Sequence, residues 1–380
     1  MTQRDTINVL ITSAWDPTSG VLTVYRSLNR HLRPRGVRYS AYAFDGWRED
    51  TLWTFCDELI DGRDVTLARV LMSGRYDLVH AVNTAFAPPW GVEKWVRRAR
   101  FRGPVVLMAQ SVGGLALESS ATRYVACSAA AADALAPYAN GSVRVIPNGY
   151  DETVFKPGDV DRTGRPRLIW VGRTYDEAKD IDLFLAAVEL LPDYEALIVD
   201  DGTDMGELSN RLAVLGSRVQ RRSRLSPSQL ADAFRYAGAS GGAFVSTSRS
   251  EGFNIAAVEA MACGCPVIVP RIAGHAHLVD GQNAIVFDRA LGARAVADAV
   301  SCLSNQSMTH RLVETARRQA ETDWTSRTMA EGYLDLYHDA LSTTGASGLE
   351  RATDPLVRNL WRAALLARPT WRRVLALARA

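Results

Sequence analysis

The sequence predicts an α/β protein with two domains, each built on a parallel sheet. Its 380 residues exceed what one hydrophobic core usually supports. Short apolar runs alternate with stretches of helical periodicity, a pattern typical of parallel strands joined by right-handed helical crossovers. The alternation stops at Pro147-Asn148-Gly149 and at Lys156–Arg167, a stretch rich in glycine, proline and charge, and then begins again. Two halves of similar size, joined by this linker, are expected to enclose a cleft.

The bulk composition is that of an ordinary soluble globular protein, with 47% hydrophobic residues and a net charge of +2. The near-neutral charge argues against a nucleic-acid partner, which normally requires a pronounced basic face. No apolar run approaches the roughly 18 residues of a membrane span, and the polar start of the chain leads into a strand, so no signal peptide is expected. The five scattered cysteines are expected to be buried free thiols in a cytoplasmic protein.

The first half is expected to contain six strands and four helices. Gly20 precedes the first helix, where the absence of a side chain lets the backbone approach a ligand, and Thr18 or Ser19 can cap that helix. The predicted strands are Asn8–Ser13, Tyr39–Phe44, Leu78–Val82, Val105–Ala109, Tyr124–Cys127 and Val143–Ile146, and the predicted helices are Val21–Arg33, Leu67–Met72, Glu93–Arg100 and Ala129–Pro137.

The second half repeats the pattern with six strands and six helices. Ligands of such parallel sheets collect at the carboxyl ends of the strands. The predicted strands are Leu168–Val171, Ala196–Val199, Arg218–Arg221, Ala243–Val245, Val267–Val269 and Ile285–Phe287, and the predicted helices are Asp182–Leu191, Met205–Leu215, Ser228–Tyr236, a helix ending near Met261, Ala293–Ser304 and Thr309–Ala320.

The stretch Ser246–Glu259 has the layout of a phosphate site. A strand ends in a cluster of hydroxyl residues, Glu251-Gly252 follows, and a helix then begins. Amides at a helix start lack partners, and the helix dipole favours an anion there. Glu251 and Glu259 are eight residues apart, which is about 12 Å along a helix, so they suit two ends of one elongated ligand. The alternative is an ordinary strand–loop–helix unit with two solvated glutamates.

Four further motifs occur in order along the chain. They are Val145–Asp151 with Phe155-Lys156-Pro157, Val171-Gly172-Arg173 with Lys179, Leu197–Gly202, and Ser248–Val267 followed by Val279–Ala284. Together they resemble motifs of the family-4 retaining glycosyltransferases, in the same order: the linker, the Gly-Arg and Lys pair, the strand ending in Gly-Asp-Gly, and the E-x7-E signature. The similarity spans about residues 8–340 and is strongest over 143–290.

This resemblance implies a GT-B fold, in which two Rossmann-like domains have parallel sheets facing each other across a cleft. The expected divisions are 1–148 for an acceptor domain, 149–324 for a nucleotide-sugar-binding domain, and 325–380 for C-terminal helices. The implied activity is metal-independent, retaining transfer of a hexose-type sugar. The donor is a nucleoside-diphosphate sugar, with UDP preferred to GDP, and it acts as a co-substrate, so no cofactor is expected.

The resemblance also implies roles for individual residues. Arg173 and Lys179 would hold the diphosphate and stabilise the departing charge, which two cations can do without a metal. Lys179 is one of only three lysines among 44 basic residues, which agrees with a point-charge role that arginine would fill differently. The implied catalytic residues are Arg173, Lys179 and Glu251, and the donor-binding residues are Gly20, Gly252, Phe253, Asn254, Ile255 and, at the ribose, Glu259.

Several positions depart from the family pattern. Gln110 stands where many members carry histidine, and Asp180 rather than glycine follows Lys179. His80 is interpreted as a structural residue of its strand. The run Asp200-Asp201-Gly202 could imitate a metal-binding Asp-x-Asp motif, although its place at a strand end favours the Gly-Asp-Gly loop.

The acceptor and the C-terminal tail leave alternatives open. Beyond Asp354 the chain has no acidic residue and six arginines, with apolar residues at helical spacing. These helices either pack on the first domain or form a basic amphipathic tail on the inner membrane surface. The acceptor is expected to be a small glycoside or natural-product scaffold. The alternatives are a lipid or growing glycan at the membrane and a nucleic-acid base, which the near-neutral charge disfavours. A sugar-nucleotide-binding protein without activity is a further alternative, which the complete set of Arg173, Lys179, Glu251 and Glu259 disfavours. A soluble acceptor would use the loops around Trp15, Gln110–Gly114 and Phe86–Trp90.

Overall fold

The structure is a computed structural model, and it describes residues 6–13, 20–43, 55–83, 92–112, 121–161, 164–202 and 207–344. These residues form two sheets with parallel strands throughout, one of seven strands and one of six. Helices cover the sheets, because strands that are buried on both faces need an apolar layer on each side. The predicted two-domain α/β fold is confirmed.

The N-terminal sheet has the order β3-β2-β1-β4-β5-β6-β7. Edge strand β3 escaped prediction because its four residues are bounded by acids and only partly buried. The strands are β1 Ile7–Ser13, β2 Val37–Ala43, β3 Glu58–Asp61, β4 Leu78–Asn83, β5 Val105–Ala109, β6 Arg123–Ala126 and β7 Val143–Val145, and the helices are α1 Gly20–Leu32, α2 Leu67–Met72, α3 Val92–Arg98 and α4 Ala129–Leu135.

The C-terminal sheet has the order β10-β9-β8-β11-β12-β13. Successive strands are added outward from β8 in one direction and from β11 in the other. The strands are β8 Arg167–Val171, β9 Glu195–Asp200, β10 Val219–Ser223, β11 Ala243–Val245, β12 Val267–Pro270 and β13 Ile285–Phe287, and the helices are α5 Ile181–Glu189, α6 Glu207–Leu215, α7 Pro227–Ala239, α8 Ile255–Ala262, α9 Gly292–Ser301, α10 Gln306–Asp323 and α11 Ser326–Thr344.

The neighbouring strands β8 and β11 mark the topological switch point of the C-terminal sheet. The chain leaves these two strands in opposite directions across the sheet, so the loops that follow them part and leave a crevice. Ligands of open α/β sheets bind in such a crevice at the carboxyl ends of the strands. The loop after β8 carries Arg173 and Lys179, and the loop after β11 carries Glu251.

Helix α11 packs on the N-terminal sheet although it follows the second domain in sequence. Tyr333 and Tyr337 are fully buried there in one hydrophobic cluster with strands β1 and β4. The Tyr39 hydroxyl donates to that of Tyr337 at 3.3 Å, and Tyr337 hydrogen-bonds Nδ1 of His80 at 2.8 Å. Burial lowers the pKa of His80 to about 3, so its ring is neutral and structural.

The chain crosses between the domains twice at one place. Tyr150 forms a bridge with Thr325, and a Cβ at Gly149 would lie 2.5 Å from the Cα of Ser326, so glycine is required for the two crossings to touch. The Ser326 hydroxyl donates to Glu152 Oε2 at 2.6 Å. Arg30 of α1 donates to Ser326 at 2.6 Å and pairs with Asp151. The crossings are therefore tied to the N-terminal domain by charged hydrogen bonds.

All five cysteines are free, but they are not uniformly buried as expected. Cys127, Cys263 and Cys265 are buried, Cys56 is intermediate, and Cys302 is exposed because it follows the last turn of α9 at the surface. The basic tail after residue 344 lies outside the described residues. Within the described ranges, no helix is long and apolar enough to cross a bilayer.

Candidate functional site

The site is centred on an ion pair between the loops that follow β8 and β11. Nζ of Lys179 lies 2.6 Å from Oε1 of Glu251. The Lys179 side chain is 24% exposed and that of Glu251 is 10% exposed, so the pair lies at the mouth of the crevice and remains reachable by a ligand. The structure thus brings together two of the three predicted catalytic residues.

Asp180 fixes the backbone that carries Lys179. It adopts the left-handed conformation, with φ of 49°, and its carboxylate accepts from the amide of Leu183 to cap α5. Asp is one of the few residues with a side chain that enter this region at modest cost, which explains how it can stand where the family that the sequence resembles has glycine. The carboxylate also pairs with Arg289 at 2.6 Å and with Arg249 at 3.0 Å.

Thr247 joins the two loops beneath the ion pair. Its hydroxyl lies 2.7 Å from the carbonyl of Asp180 and 3.0 Å from that of Lys179. The same oxygen accepts from Nε1 of the buried Trp170 at 3.0 Å. Because Thr247 is fully buried, these bonds hold the loops in one relative position. Sequence reasoning missed this role of Thr247, because the residue stands out only as one member of a cluster of hydroxyl residues.

Gly252 brings the site close to the first domain. A Cβ built at Gly252 would overlap the carbonyl oxygen of Gln110 and lie 2.9 Å from its carbon. Gln110 exchanges two side-chain hydrogen bonds with Asn148 of the linker, at 2.8 and 3.2 Å. Only glycine therefore allows the loop after β11 to meet the end of β5.

Asn254 and Phe253 shape the turn in different ways. Asn254 is left-handed, with φ of 58°, and caps α8 by accepting from the amide of Ala257. Its Nδ2 donates to Nε2 of His275, whose Nδ1 donates to the carbonyl of Pro270. The Phe253 ring is buried and stacks on His277, with centroids 4.5 Å apart, so only its backbone could serve a ligand.

Glu259 lies on α8 and is 8% exposed. Burial, with a smaller contribution from the nearby charge of Asp151, raises the pKa of Glu259 to about 8. Its carboxyl group is therefore largely protonated at neutral pH in the ligand-free protein. A ligand that offers two hydroxyl donors would favour the ionised form, since a carboxylate only accepts.

The remaining predicted site residues lie nearby or in the other domain. Arg173 donates to Asp176 at 2.7 Å, within the same loop as Lys179. Ile255 is the first residue of α8. Gly20 begins α1 in the N-terminal domain, and a Cβ there would meet no atom within 4 Å. Trp15, Phe86–Trp90 and residues 113 and 114 of the predicted acceptor loops lie outside the described residues.

The Asp200-Asp201-Gly202 run serves as a structural turn. The Asp200 side chain is fully buried, pairs with Arg221 at 2.5 Å, and accepts from Ser223 at 2.6 Å and from the amide of Gly202 at 2.9 Å. These donors already occupy both of its oxygens. Among the described residues, no group of three or more histidines, cysteines, aspartates or glutamates is arranged to hold a metal ion.

Comparison with solved structures shows to which fold class this protein belongs. HepE of Anabaena, solved in complex with UDP and glucose, aligns with a TM-score of 0.73 at 19% identity, covering 88% of this chain and 100% of that one. Sucrose-phosphate synthase from Thermosynechococcus elongatus aligns with a TM-score of 0.71 at 19% identity. The alignment covers 89% of this chain and 100% of the synthase chain. The fold is GT-B.

The sequence of the second domain is similar to that of a known family. Residues 165–306 match the profile of the family described as glycosyl transferases group 1. A GDP-mannose:cellobiosyl-diphosphopolyprenol alpha-mannosyltransferase of Xanthomonas campestris is 30% identical over 206 residues, which are 53% of this chain and 54% of the relative. A D-inositol 3-phosphate glycosyltransferase of Acidothermus cellulolyticus is 28% identical over 233 residues, which are 55% of this chain and 50% of the relative. The chain spans about half the length of these curated relatives, and its similarity to the group 1 glycosyl transferases lies in residues 165–306.

Proposed function

We propose that this protein is a retaining glycosyltransferase that moves a hexose-type sugar from a nucleoside diphosphate to a small glycoside or natural-product acceptor, without a metal. The observation that carries the proposal is the Lys179–Glu251 ion pair at the switch point. It places a cation and an anion side by side, where one donor molecule would present both its phosphates and its sugar hydroxyls.

The phosphate end of the donor would meet Lys179 and Arg173. Cleavage of the sugar–phosphate bond leaves additional negative charge on the leaving oxygen, and fixed cations stabilise that charge more in the transition state than in the ground state. Both side chains are partly exposed and tethered by carboxylates of the protein. They are therefore oriented before the donor binds, and each can add phosphate oxygens to its coordination.

The sugar end and the ribose would meet the two glutamates. Glu251 would accept hydrogen bonds from hydroxyls of the transferred sugar, and the amides at the start of α8, from Gly252 to Ile255, would face the sugar and phosphates. Glu259 would accept from both ribose hydroxyls in its ionised form. No residue is assigned as a covalent nucleophile, because transfer on the front face of an ion pair does not need one.

The donor is tested by a thermal-shift panel of UDP, GDP, UDP-glucose and GDP-mannose. We expect one nucleotide series to raise the melting temperature, with UDP our first choice and GDP our second. The structural neighbour was solved with UDP, whereas the Xanthomonas relative is named for GDP-mannose. Release of nucleoside diphosphate from the matching sugar donor then measures turnover. A protein that binds none of the four would overturn the proposal.

Retention and metal independence need separate measurements. The anomeric configuration of the product, read by NMR, should equal that of the donor, and inversion would refute the retaining assignment. Donor turnover should persist in excess chelator, because Lys179 and Arg173 are proposed to stabilise the negative charge of the departing diphosphate in place of a metal ion. A loss of turnover that added Mg²⁺ or Mn²⁺ restores would refute the metal-free mechanism.

A lipid-linked acceptor is the second candidate, favoured by the diphosphopolyprenol in the name of the Xanthomonas relative. The basic end of the sequence, with six arginines after Asp354, could supply attraction to an anionic surface of about 1 kcal/mol per residue. Deletion of residues 350–380 separates the candidates. A membrane-binding tail predicts loss of binding to vesicles of mixed phosphatidylcholine and phosphatidylserine at low salt. If the truncated protein binds vesicles as well as the full chain does, the tail is not the membrane-binding segment.

A further inference from the structure

Two buried serines lie between strand β11 and Glu251 and belong to no part of the proposed donor site. Ser246 is 5% exposed and Ser248 is 2% exposed. A buried hydroxyl is costly unless it is hydrogen-bonded, so the direction of each bond matters. Their partners form a short chain that ends on the carboxylate of Glu251.

The chain of hydrogen bonds has one direction. The Ser248 amide donates to Oγ of Ser246 at 3.4 Å, and the Ser246 hydroxyl donates to Oγ of Ser248 at 3.2 Å. The Ser248 hydroxyl then donates to Oε1 of Glu251 at 2.6 Å. Because Oγ of Ser248 already accepts from Ser246, its own proton is directed to Glu251. Hydrogen bonds in such a chain polarise and strengthen one another.

Both donors to Glu251 approach the same oxygen. Lys179 and Ser248 each lie 2.6 Å from Oε1. Among the described residues, none donates a hydrogen bond to Oε2 of Glu251. A carboxylate has four acceptor positions, and the protein uses only those of one oxygen. Oε2 is therefore left to accept from a ligand, while Oε1 fixes the rotamer.

We propose that Ser248 is a positioning residue that orients Glu251, so that Oε2 accepts a hydroxyl of the donor sugar. This inference rests on the proposed function and concerns the same site. Lys179 alone cannot fix the orientation once it also engages the phosphates, because its ammonium is a flexible point charge. Ser248 is buried in the loop just after β11, and we expect it to keep its contact with Glu251 when Lys179 shifts toward the diphosphate. The alternative is that Ser248 only satisfies its own buried hydroxyl.

The two roles predict different effects of Ser248→Ala. If Ser248 positions Glu251, its loss weakens contacts with the sugar and not those with the nucleotide. The affinity for the nucleoside diphosphate should therefore stay within about twofold of wild type. Binding of the nucleotide sugar and kcat for donor turnover should each fall, with kcat/KM lower by about ten- to hundredfold, the scale of one charged hydrogen bond. The probes are UDP with UDP-glucose, or GDP with GDP-mannose, whichever pair the wild-type protein binds. Calorimetry gives the two affinities.

Matched variants separate orientation from packing. Ser248→Cys nearly keeps the volume but replaces the hydroxyl by a weak donor, so it should reproduce the loss seen with alanine. Ser240→Ala is the control, because Ser240 also makes two hydrogen bonds. Its hydroxyl donates to the carbonyl of Ala237 and accepts from the amide of Arg167, at the end of β8 away from the site. This variant should leave kcat/KM unchanged. Melting temperatures of all variants show whether each is folded.

Three outcomes would overturn the inference. Wild-type turnover in Ser248→Ala would show that Glu251 is oriented without the serine. Full activity in Ser248→Cys would show that volume, and not the hydroxyl, is needed. Equal losses of nucleotide and nucleotide-sugar affinity would indicate a general structural role. If the wild-type protein binds neither sugar donor, the proposed function fails as well, whereas each of the first three outcomes leaves it standing.

Discussion

Lys179 and Glu251 are 72 residues apart in sequence, and their side chains meet at 2.6 Å across the switch point of the second sheet. Sequence order alone does not place them together. The parallel topology does, because it puts the ends of β8 and β11 side by side. The pair links the phosphate-binding and sugar-binding roles proposed for the two loops.

Glu259→Gln should change the pH dependence of nucleotide binding. The pKa of Glu259 is raised to about 8. If the nucleotide binds to the ionised carboxylate, Glu259 must therefore release a proton when the nucleotide binds below that pH. Affinity of the wild-type protein for its nucleoside diphosphate should therefore rise by up to about tenfold per unit from pH 6 to pH 8. The glutamine variant should lack this rise. Calorimetry in buffers of different ionisation enthalpy measures the proton release directly, and a wild-type affinity independent of pH would contradict the assignment.

Gly252→Ala should separate the domains. The added methyl group would overlap the Gln110 carbonyl, and backbone must shift to relieve it. Overpacking of this kind costs about 1–3 kcal/mol, so donor affinity should fall by at least about fivefold. Small-angle scattering should show a larger radius of gyration. Gly141→Ala is the control, since a Cβ there meets nothing within 4 Å. An unchanged radius and affinity in Gly252→Ala would show that the contact can be relieved locally.

The fold was largely predictable because hydrophobic periodicity reports directly on strands and helices. Helix α2 and strands β5, β11 and β13 occur at the predicted residues. Edge strand β3 was missed because four half-buried residues carry too little pattern.

The candidate site was less predictable, because its geometry depends on contacts between loops distant in sequence. Gly252 and Asn254 could be singled out from local chemistry. The pairing of Asp180 with Arg289 could not, since the two lie 109 residues apart and Asp180 appeared only as a departure from a family pattern. The same holds for Ser248, which a sequence shows only as one hydroxyl among several.

Asp180→Ala should destabilise the protein more than Asp180→Asn. Alanine removes the cap of α5, worth about 0.5–2 kcal/mol, and leaves the half-buried Arg289 without its carboxylate. Asparagine keeps the cap and tolerates the left-handed backbone, so it isolates the loss of charge. Urea titration of both variants measures the difference. Equal stability of the two would mean that neither the cap nor the left-handed residue contributes.

His80→Gln should reduce the sensitivity of the protein to acid. Burial lowers the pKa of His80 to about 3, whereas the unfolded chain binds this proton near 6.5. The unfolded state therefore gains protons first, and stability falls as the pH drops below 6.5, by up to about 1.4 kcal/mol per unit for this group. Glutamine does not titrate and can still accept from Tyr337. Denaturation at pH 7 and pH 5 should show a smaller drop for the variant, and an identical drop would assign the acid sensitivity to other groups.

Turnover of the nucleotide sugar by Lys179→Ala tests the account most directly. Removing a cation that stabilises the departing diphosphate should cost about 3–4 kcal/mol of transition-state stabilisation, a fall in kcat of roughly 10²- to 10³-fold. Lys156→Ala, which removes an exposed lysine of the linker, is the matched control and should retain wild-type turnover. Release of nucleoside diphosphate is the measurement, with both variants folded by their melting temperatures. Wild-type turnover in Lys179→Ala would contradict the central role of the Lys179–Glu251 pair.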